Sequence, residues 1–249
     1  MVSLVPSLTE AVAASAPELL AGVTDWCSHP AGLDVPRIGG TKNPDVGGIA
    51  ALAPDLVIAN EEENRPQDLA ALRAAGLTVL VTEVRTLDQA WGELARVLVA
   101  GCGLSRPEWL DAAEAAWREL PVPAAIGDSP ARTELRAWGR TAVVPIWRRP
   151  WMVLGRDTFA GDVLARLGVR NLYADHADRY PRIPLDELNA RGAELVVLPD
   201  EPYRFSAGDG PEAFPGLPAA LVSGRSLTWY GPSLVEAPAA LAAALAGAR

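Results

Sequence analysis

Four tryptophans lie at or just beyond the ends of predicted strands, and their positions suggest ligand binding. They are Trp26, Trp147, Trp151 and Trp229. In open α/β sheets, ligands bind outside the carboxyl ends of the strands. An indole at such a place offers a flat, rigid and amphipathic surface for a large ring or chelate. The alternative is that each indole only anchors its own loop.

Acidic and histidine side chains form a second group of candidates. The run Glu61–Glu63 follows a predicted strand and is a cation site, a docking patch or simply a solvated turn. His29 lies in a loop after Trp26, where it either touches a ligand or packs as an ordinary side chain. Because His29 and His176 are the only histidines, a three-histidine zinc site is impossible, and we predict no metal site.

Sequence signatures of enzymes are absent from the chain. It contains no Gly-x-Ser-x-Gly elbow and no GxGxxG after a strand. Gly39–Lys42 resembles a phosphate loop, but Asn43-Pro44 follows the lysine and breaks any helix that would begin there. We therefore predict a protein that is not an enzyme and has no catalytic cofactor. An enzyme that uses His29 and Glu61–Glu63 is the less favoured alternative, because no nucleophile–base pair is visible.

Composition limits the classes of partner. The 249 residues include 22 Lys plus Arg and 31 Asp plus Glu, for a net charge of −9. This sign disfavours nucleic-acid phosphates and anionic membrane surfaces as partners. No apolar run is long enough for membrane insertion. Cys27 and Cys102 have no metal-ligand spacing, so we expect two free, mostly buried thiols.

The beginning of the sequence bears on localisation. Met1 leads almost directly into the predicted strand Val2–Val5, without a basic region, an apolar run and a cleavage site. We expect either a cytoplasmic protein or a mature extracytoplasmic form whose export signal has been removed.

Short β-like runs alternate with helical patterns, which is typical of parallel α/β architecture. We predict strands at Val2–Val5, Leu20–Thr24, Asp55–Ala59, Thr78–Val81, Thr141–Ile146 and Glu194–Leu198. Spacings typical of capping boxes predict helix starts at Ser7–Glu10, Thr86–Gln89 and Ser105–Glu108. Asp157 or Thr158 caps a further helix that Gly168 closes, and Pro145 implies an edge position or a bend in its strand.

The two halves of the chain have similar patterns. Asp55–Glu62 and Glu194–Glu201 each contain an acidic residue, four apolar residues, one variable position and two acidic residues. Two similar lobes would produce this echo, although chance would also do so. We predict an N-terminal α/β lobe at residues 1–104, a linking helix and connector at 105–140, and a C-terminal α/β lobe at 141–249.

Several motifs together resemble one protein family. They are Val2–Glu10, Gly22–Thr24, Gly39–Asp45, Ala53–Asn60, Ile146–Met152, Gly155–Phe159 and Asn171–Asp175. In order and spacing, over nearly the whole chain, they resemble class III solute-binding proteins, also called helical-backbone metal receptors. The vitamin B12-binding branch is the nearest pattern.

This resemblance implies two parallel-sheet α/β lobes joined by a long helical linker, with a ligand cleft between the lobes. Members bind cobalamin, ferric siderophores, haem or metal ions and deliver them to an ABC permease. The N-lobe residues that the resemblance assigns to ligand binding are Pro6, Ser7, Thr9, Trp26, His29, Asn60 and Glu61. The C-lobe residues are Trp147, Arg148, Trp151, Phe205 and Trp229.

The chain departs from the family pattern in two ways. Vitamin B12-binding proteins place a glutamate on each lobe tip to engage the permease. This sequence has Pro66 at the first position, with Glu63 and Asp68 nearby, and Gly231 at the second, with Glu236 as the next carboxylate. The segment Pro121–Gly139 is proline-rich where members have a longer continuous helix. Docking and the hinge are therefore expected to be atypical.

We therefore predict a binding protein for cobalamin, another corrinoid or a related chelate such as haem or a ferric siderophore, acting as the substrate-binding component of an ABC importer. The alternative is a cytosolic protein that handles corrinoids or metal chelates on the same scaffold without a permease.

Overall fold

The computed structural model of the protein describes residues 1–120 and 139–249. These residues form two compact units. The N-terminal unit comprises Met1–Val84, Asp88–Glu114 and Trp229–Pro232, and the C-terminal unit comprises Arg85–Leu87, the described residues between Ala115 and Thr228, and Ser233–Arg249. Each unit contains a parallel sheet, so the predicted α/β architecture with two parallel-sheet lobes is confirmed. Most of the proline-rich segment before Gly139 lies outside the described residues.

The N-terminal unit is built on a four-stranded parallel sheet with the order β2-β1-β5-β6. Its strands are β1 (Val2–Ser3), β2 (Gly22–Val23), β5 (Val57–Asn60) and β6 (Val79–Thr82), and a separate hairpin consists of β3 (Gly39–Gly40) and β4 (Asn43–Pro44). The helices are α1 (Pro6–Ser15), α2 (Val46–Ala51), α3 (Pro66–Ala74) and α4 (Leu87–Ala95, whose first residue belongs to the C-terminal unit), while α5 (Glu108–Arg118) begins in this unit and ends in the C-terminal unit. A π-helical segment, Arg96–Gly101, continues α4, and a 3₁₀ turn covers Pro17–Leu19.

Continuous apolar runs explain the central strands of this sheet. β5 is buried along its whole length, as expected for a parallel strand that has helices on both faces. Val2 and Leu4 next to it are also completely buried, and they pack in one cluster with Ile49 and Leu72. The hydrophobic core of the unit therefore lies directly behind the strand ends.

The C-terminal unit has the same topology, with a four-stranded parallel sheet in the order β10-β7-β11-β12. Its strands are β7 (Arg140–Val143), β10 (Val169–Asn171), β11 (Leu195–Pro199) and β12 (Ala219–Val222). A two-stranded hairpin, β8 (Pro145–Arg148) and β9 (Trp151–Val153), follows β7. The helices are α6 (Phe159–Arg166), α7 (Leu185–Ala190), α8 (Gly224–Thr228) and α9 (Ala237–Ala246), and 3₁₀ turns cover Pro211–Ala213 and Pro232–Val235.

The sequence echo between the two halves corresponds to a structural equivalence. Asp55–Glu62 contains β5, and Glu194–Glu201 contains β11. β5 lies between β1 and β6, and β11 lies between β7 and β12. In each sheet these neighbours are the first and the last strand in chain order. The similar patterns therefore occupy equivalent positions in two sheets of the same order.

Helix ends agree with the sequence in some places and differ in others. Thr158 caps α6 by accepting from the Gly161 N–H at 3.3 Å, and Gly168 follows the helix with a φ of 77°, as predicted. The capping box expected at Ser7–Glu10 is wrong. α1 begins at Pro6 without a side-chain cap, because proline there has a fixed φ and no N–H to satisfy.

The other two predicted helix starts also need qualification. α5 begins at Glu108, so the start expected at Ser105 is three residues too early. α4 begins at Leu87, next to the predicted cap Thr86, and its first N–H donates to the Asp162 carboxylate at 2.9 Å. Pro145 follows β7, which is a central strand of its sheet, and is the first residue of the β8–β9 hairpin. It therefore marks a bend and not an edge strand.

Candidate functional site

The strand order places the predicted N-terminal residues at one edge of their sheet. From β1 the chain moves to β2 on one side and later returns to β5 on the other, so the order reverses between β1 and β5. Ligands in open α/β sheets bind beyond the carboxyl ends of strands at such a reversal. Pro6 and Ser7 follow β1, while Asn60 and Glu61 end and follow β5. The structure therefore brings these four residues to the expected place.

Asn60 has a structural role within this edge. Its side-chain amide donates to the carbonyl oxygen and the hydroxyl of Thr82 at 3.0 and 3.1 Å. Its Oδ1 accepts from the N–H groups of Glu62 and Glu63 at 2.9 and 3.3 Å. The amide thus uses all four of its hydrogen-bonding positions to connect the turn Glu61–Glu63, which we call the acidic turn, to Thr82 of β6.

Thr9 also has a structural role, because its side chain packs inside the N-terminal unit. It is completely buried, and its hydroxyl donates to Ser3 Oγ at 2.7 Å and lies 3.0 Å from Cys27 Sγ. Cys27 and Cys102 are both free thiols, as expected, and Cys27 is the buried one. Thr9 therefore supports the strand end from behind, whereas Pro6 is half-exposed at the surface.

A buried tyrosine that the sequence did not single out lies at the same edge. Tyr230 is 7% exposed, and its hydroxyl lies near Ser7 and Thr82. Burial raises the pKa of Tyr230 far above its ordinary value, and the negative charge of Glu63 adds to this shift, so the phenol stays protonated. Burial also raises the pKa of Glu63, against the opposing effect of the Lys42 ammonium.

The acidic turn itself is divided between surface and interior. Glu61 is exposed, whereas Glu62 and Glu63 are half-buried. The Lys42 ammonium donates to the Glu62 carbonyl oxygen and so ties the β3–β4 hairpin to this turn. Among residues 1–120 and 139–249, no three His, Cys, Asp or Glu side chains form a cluster that could hold a metal.

Three of the predicted aromatic residues, Trp26, His29 and Trp229, lie on the N-terminal unit, and the last two are in contact. The Trp26 side chain is 67% exposed, and His29 is half-buried. The His29 and Trp229 rings meet edge to face with centroids 5.4 Å apart. Trp229 was expected on the C-terminal lobe, and this is wrong. Although it is distant in sequence, Trp229–Pro232 packs with the N-terminal unit, where the His29 ring covers the indole.

In the C-terminal unit, the predicted residues come from the β8–β9 hairpin. The strand order reverses between β7 and β11, and the hairpin emerges from the carboxyl end of β7. Trp147 and Arg148 lie on β8, and Trp151 begins β9 opposite Arg148. Trp147 is 42% exposed, so one indole reaches solvent beyond this sheet as Trp26 does beyond the other.

An aromatic cluster supports these indoles from below. Trp151 stacks on Phe205, with centroids 6.1 Å apart and an interplanar angle of 8°. Phe214 meets Trp151 edge to face at 5.4 Å, and Tyr203 meets Trp147 in the same manner at 5.7 Å. Phe205 and Phe214 are almost completely buried in the core of the unit. Phe205 therefore backs the surface and leaves contact with solvent to Trp147 and Trp151.

Arg148 is engaged by the protein itself. Its guanidinium lies 5.5 Å from the centre of the Trp151 ring and forms ion pairs with Asp209 and Glu212. A ligand would therefore have to compete with two carboxylates for Arg148, which the resemblance assigned to ligand binding. Neither carboxylate, nor Tyr203 and Phe214, was singled out from the sequence. The density of aromatic residues after β11 was the available signal.

These features define two surfaces, one on each unit. We call Trp26, His29 and Trp229 the N-terminal indole surface, and Trp147, Arg148 and Trp151 with their supporting rings the C-terminal indole surface. Both consist of flat apolar rings with polar edges beyond parallel strands. Such surfaces are suited to binding a large planar ligand and carry few groups that could transfer a proton or attack a bond.

Comparison with known proteins agrees with the fold. No family model matches the chain. It is similar to the vitamin B12-binding protein of Vibrio cholerae serotype O1, with 25% identity over 199 residues, which are 79% of this chain and 68% of that protein.

Solved structures give the same picture. The periplasmic vitamin B12 binding protein of Vibrio cholerae matches with a TM-score of 0.76 and 20% identity, covering 98% of this chain and 95% of that chain. A periplasmic haem-binding protein from Pseudomonas aeruginosa matches with a TM-score of 0.73 and 26% identity, covering 100% and 93%. The resemblance to class III solute-binding proteins is therefore confirmed. Among the described residues, no helix has both the length and the apolar character needed to cross a bilayer.

Proposed function

We propose that the protein binds a large metal chelate with a planar ring, with a corrinoid such as cobalamin as the leading candidate. One observation carries this proposal. Each unit exposes an indole just beyond the carboxyl end of its parallel sheet, Trp26 at 67% and Trp147 at 42% exposure. The carboxyl ends of parallel strands are where ligands bind in open α/β sheets.

The physical basis is burial of apolar ring surface on the indoles. Removing apolar area from water contributes about 25 cal/mol per Å², before the costs of association are subtracted. A tetrapyrrole-type ring presents a broad apolar face that can lie on such indoles. The supporting rings of Phe205 and Phe214 are buried, so the C-terminal indole surface is formed before the ligand arrives.

Catalysis is less consistent with the same geometry. His29 Nδ1 lies 3.0 Å from Ser28 Oγ, which is the arrangement of a base beside a hydroxyl. However, the group packed on this imidazole is the Trp229 indole, where an activated nucleophile requires an orienting carboxylate. We therefore infer a binding protein that releases its ligand chemically unchanged.

Haem is the competing ligand, and one observation favours it. His29 is half-buried and follows the exposed Trp26 by three residues, and an imidazole nitrogen is a ligand for iron as well as cobalt. Ferric siderophores remain a third class of chelate. These ligands differ in their absorption spectra, so the spectrum of the protein purified from its native host identifies the chelate that it carries.

We further propose that the protein is the substrate-binding component of an ABC importer and acts outside the cytoplasm. The relatives named vitamin B12-binding protein and the periplasmic neighbours support this assignment. The alternative is a cytosolic chelate-handling protein on the same scaffold. Fractionation of the native host distinguishes the two, because an importer component is recovered outside the cytoplasmic membrane or attached to its outer face.

Titration provides the direct test of ligand binding. Cyanocobalamin, cobinamide, haemin and a ferric hydroxamate are each added to the purified protein while tryptophan fluorescence and heat are recorded. We expect saturable quenching with cyanocobalamin or cobinamide at one ligand per chain. If none of the four ligands produces heat or quenching, the proposed function is wrong.

A further inference from the structure

We propose that Arg148 is a positioning residue that fixes the C-terminal indole surface before ligand binds, and that it does not contact the ligand itself. This inference rests on the proposed function, because it concerns the same surface. It also revises the role that the family resemblance implied for Arg148.

The first observation is that the Arg148 guanidinium already interacts with two carboxylates and with the Trp151 ring. The Arg148 side chain is only 17% exposed, and its two terminal nitrogens are paired with different carboxylates, Asp209 and Glu212. Its carbon centre lies 5.5 Å from the centre of the Trp151 ring. A ligand carbonyl would have to displace a charged partner, which costs more than the neutral hydrogen bond returns.

The second step connects Arg148 to the exposed indole. Asp209 Oδ2 accepts the hydroxyl hydrogen of Tyr203 at 2.7 Å. The Tyr203 ring then meets Trp147 edge to face, with centroids 5.7 Å apart. Arg148 therefore orients Asp209, Asp209 orients the Tyr203 ring, and the Tyr203 ring supports Trp147.

The third step concerns the loop that carries the carboxylates. Glu212 Oε2 accepts from the Gly210 N–H at 2.7 Å. This backbone hydrogen bond lowers the pKa of Glu212, and the Arg148 guanidinium lowers it further. Glu212 is thus held as a carboxylate that both shapes its own loop and holds Arg148.

The hairpin is held at two places. β8 and β9 form a two-stranded ladder outside the main sheet, and β9 also bonds on its other side, where the Val153 N–H donates to the Pro181 carbonyl oxygen at 3.1 Å and the Ile183 N–H to that of Trp151 at 3.2 Å. These bonds hold the backbone of β9, whereas Arg148 on β8 acts through its side chain. Because Arg148 ties this hairpin to the loop after β11, the indoles are ordered in advance, and ligand binding does not have to supply that ordering.

Two variants and a matched control test the proposal. Arg148→Met removes the charge at similar length, Asp209→Asn removes its partner, and Arg149→Met alters the adjacent exposed arginine. Affinity is measured for cyanocobalamin, whose periphery carries amides, and for haemin, whose periphery carries carboxylates. We expect Arg148→Met and Asp209→Asn each to weaken whichever ligand binds by about tenfold, with no further loss in the double variant. Arg149→Met should bind as the parent does.

Direct contact with ligand predicts a different pattern. If Arg148 bound peripheral carboxylates, Arg148→Met would weaken haemin alone, and Asp209→Asn would strengthen haemin by freeing the guanidinium. Either result overturns the proposal. Arg148→Lys keeps the charge but lacks the planar fork that reaches both carboxylates, so we expect intermediate affinity. This variant also guards against misfolding in Arg148→Met.

A measurement without ligand separates this proposal from the proposed function. Acrylamide quenching is compared between Arg148→Met and the parent, and again with Trp147→Phe added to both. We expect Arg148→Met to increase quenching, and most of that increase to disappear once Trp147 is absent. Unchanged quenching in Arg148→Met overturns the positioning role even if no chelate binds. An increase in quenching supports it even if all titrations fail.

Discussion

The Trp151 indole lies almost parallel to the Phe205 ring, with centroids 6.1 Å apart and an interplanar angle of 8°. Phe205 is 3% exposed and belongs to the hydrophobic core of the C-terminal unit. One face of Trp151 is therefore occupied by the protein, and the indole is continuous with the core. A binding surface built in this way is rigid, because moving the indole would also open the core.

The first prediction separates the two indoles of the hairpin. Trp147→Ala should weaken chelate binding by about 1–3 kcal/mol, because an exposed aromatic anchor is lost. Its effect on the free energy of unfolding should stay small. Trp151→Ala should weaken binding to a similar extent, and it should also lower the free energy of unfolding, by about 2–4 kcal/mol, through the loss of the Phe205 and Phe214 contacts. Titration calorimetry and urea denaturation measure the two quantities.

Trp109→Phe is the control for this pair, because Trp109 lies on α5 and donates its indole N–H to Ser15 Oγ at 3.0 Å, away from the strand ends. We expect its chelate affinity to equal that of the parent. Parental affinity in folded Trp147→Ala and Trp151→Ala would remove the C-terminal indole surface from the binding site.

The second prediction concerns Trp229, which is 8% exposed and packs on His29. Trp229→Ala should lower the free energy of unfolding by about 3–5 kcal/mol, the usual range for a buried tryptophan. It should also weaken chelate binding by about 1–3 kcal/mol, because His29 loses the ring that orients it. Trp229→Phe keeps an aromatic ring beside His29 and should recover most of both losses. Equal binding by the alanine variant and the parent would place Trp229 outside the site.

The sequence predicted the framework well because its signals are local. Continuous apolar runs marked β5 and β11, and acidic residues marked the turns behind them. Gly168 ended its helix as expected, because its φ of 77° favours a residue without a side chain. The start of α1 was missed because Pro6 needs no side-chain cap, a condition that a search for Ser and Glu spacing overlooks.

The site was predictable in its location and less so in its contacts. Trp147 and Trp151 lie where strand ends place them. The partners of Arg148 come from residues more than 60 positions later, and the Tyr230 hydroxyl reaches Ser7 across most of the chain. Such pairings depend on tertiary packing, which no local pattern encodes.

The third prediction distinguishes a structural from a ligand-binding role for Asn60. Asn60→Ala removes four hydrogen bonds and leaves buried Thr82 groups and backbone N–H groups of the acidic turn without that partner. We expect the free energy of unfolding to fall by about 2–4 kcal/mol. Chelate affinity per folded molecule should stay within about twofold of the parent's, because the amide faces the protein. Urea denaturation and titration of the folded fraction check the two expectations.

A contrary result for Asn60 is equally informative. Unchanged stability together with a large loss of affinity would mean that the amide turns towards the ligand, as the family resemblance implied. Glu61→Gln provides a comparison at the same turn, because Glu61 is exposed and its replacement should change stability by less than about 0.5 kcal/mol.

The fourth prediction concerns pH and the half-buried Glu63. Burial raises its pKa above the ordinary value of 4.5, so the folded chain holds this proton more strongly than the unfolded chain does. The stability gained from protonated Glu63 is therefore fully present below the ordinary pKa and is lost as the pH rises through the raised pKa. At neutral pH the buried carboxylate costs free energy. Glu63→Gln removes that charge and should raise the free energy of unfolding at pH 7 by about 0.5–2 kcal/mol.

The shape of the pH dependence identifies the cause of that gain. The advantage of Glu63→Gln over the parent should shrink as the pH falls and vanish below the ordinary glutamate pKa of 4.5, where both chains are neutral at this position. Glu18→Gln, at an exposed position, is the control and should change the free energy of unfolding at pH 7 by less than about 0.5 kcal/mol. Lys42→Met should enlarge the advantage, because Lys42 is the charge that partly offsets burial. A Glu63→Gln gain that persists unchanged at pH 4 would point to better packing of the amide and not to removal of a buried charge.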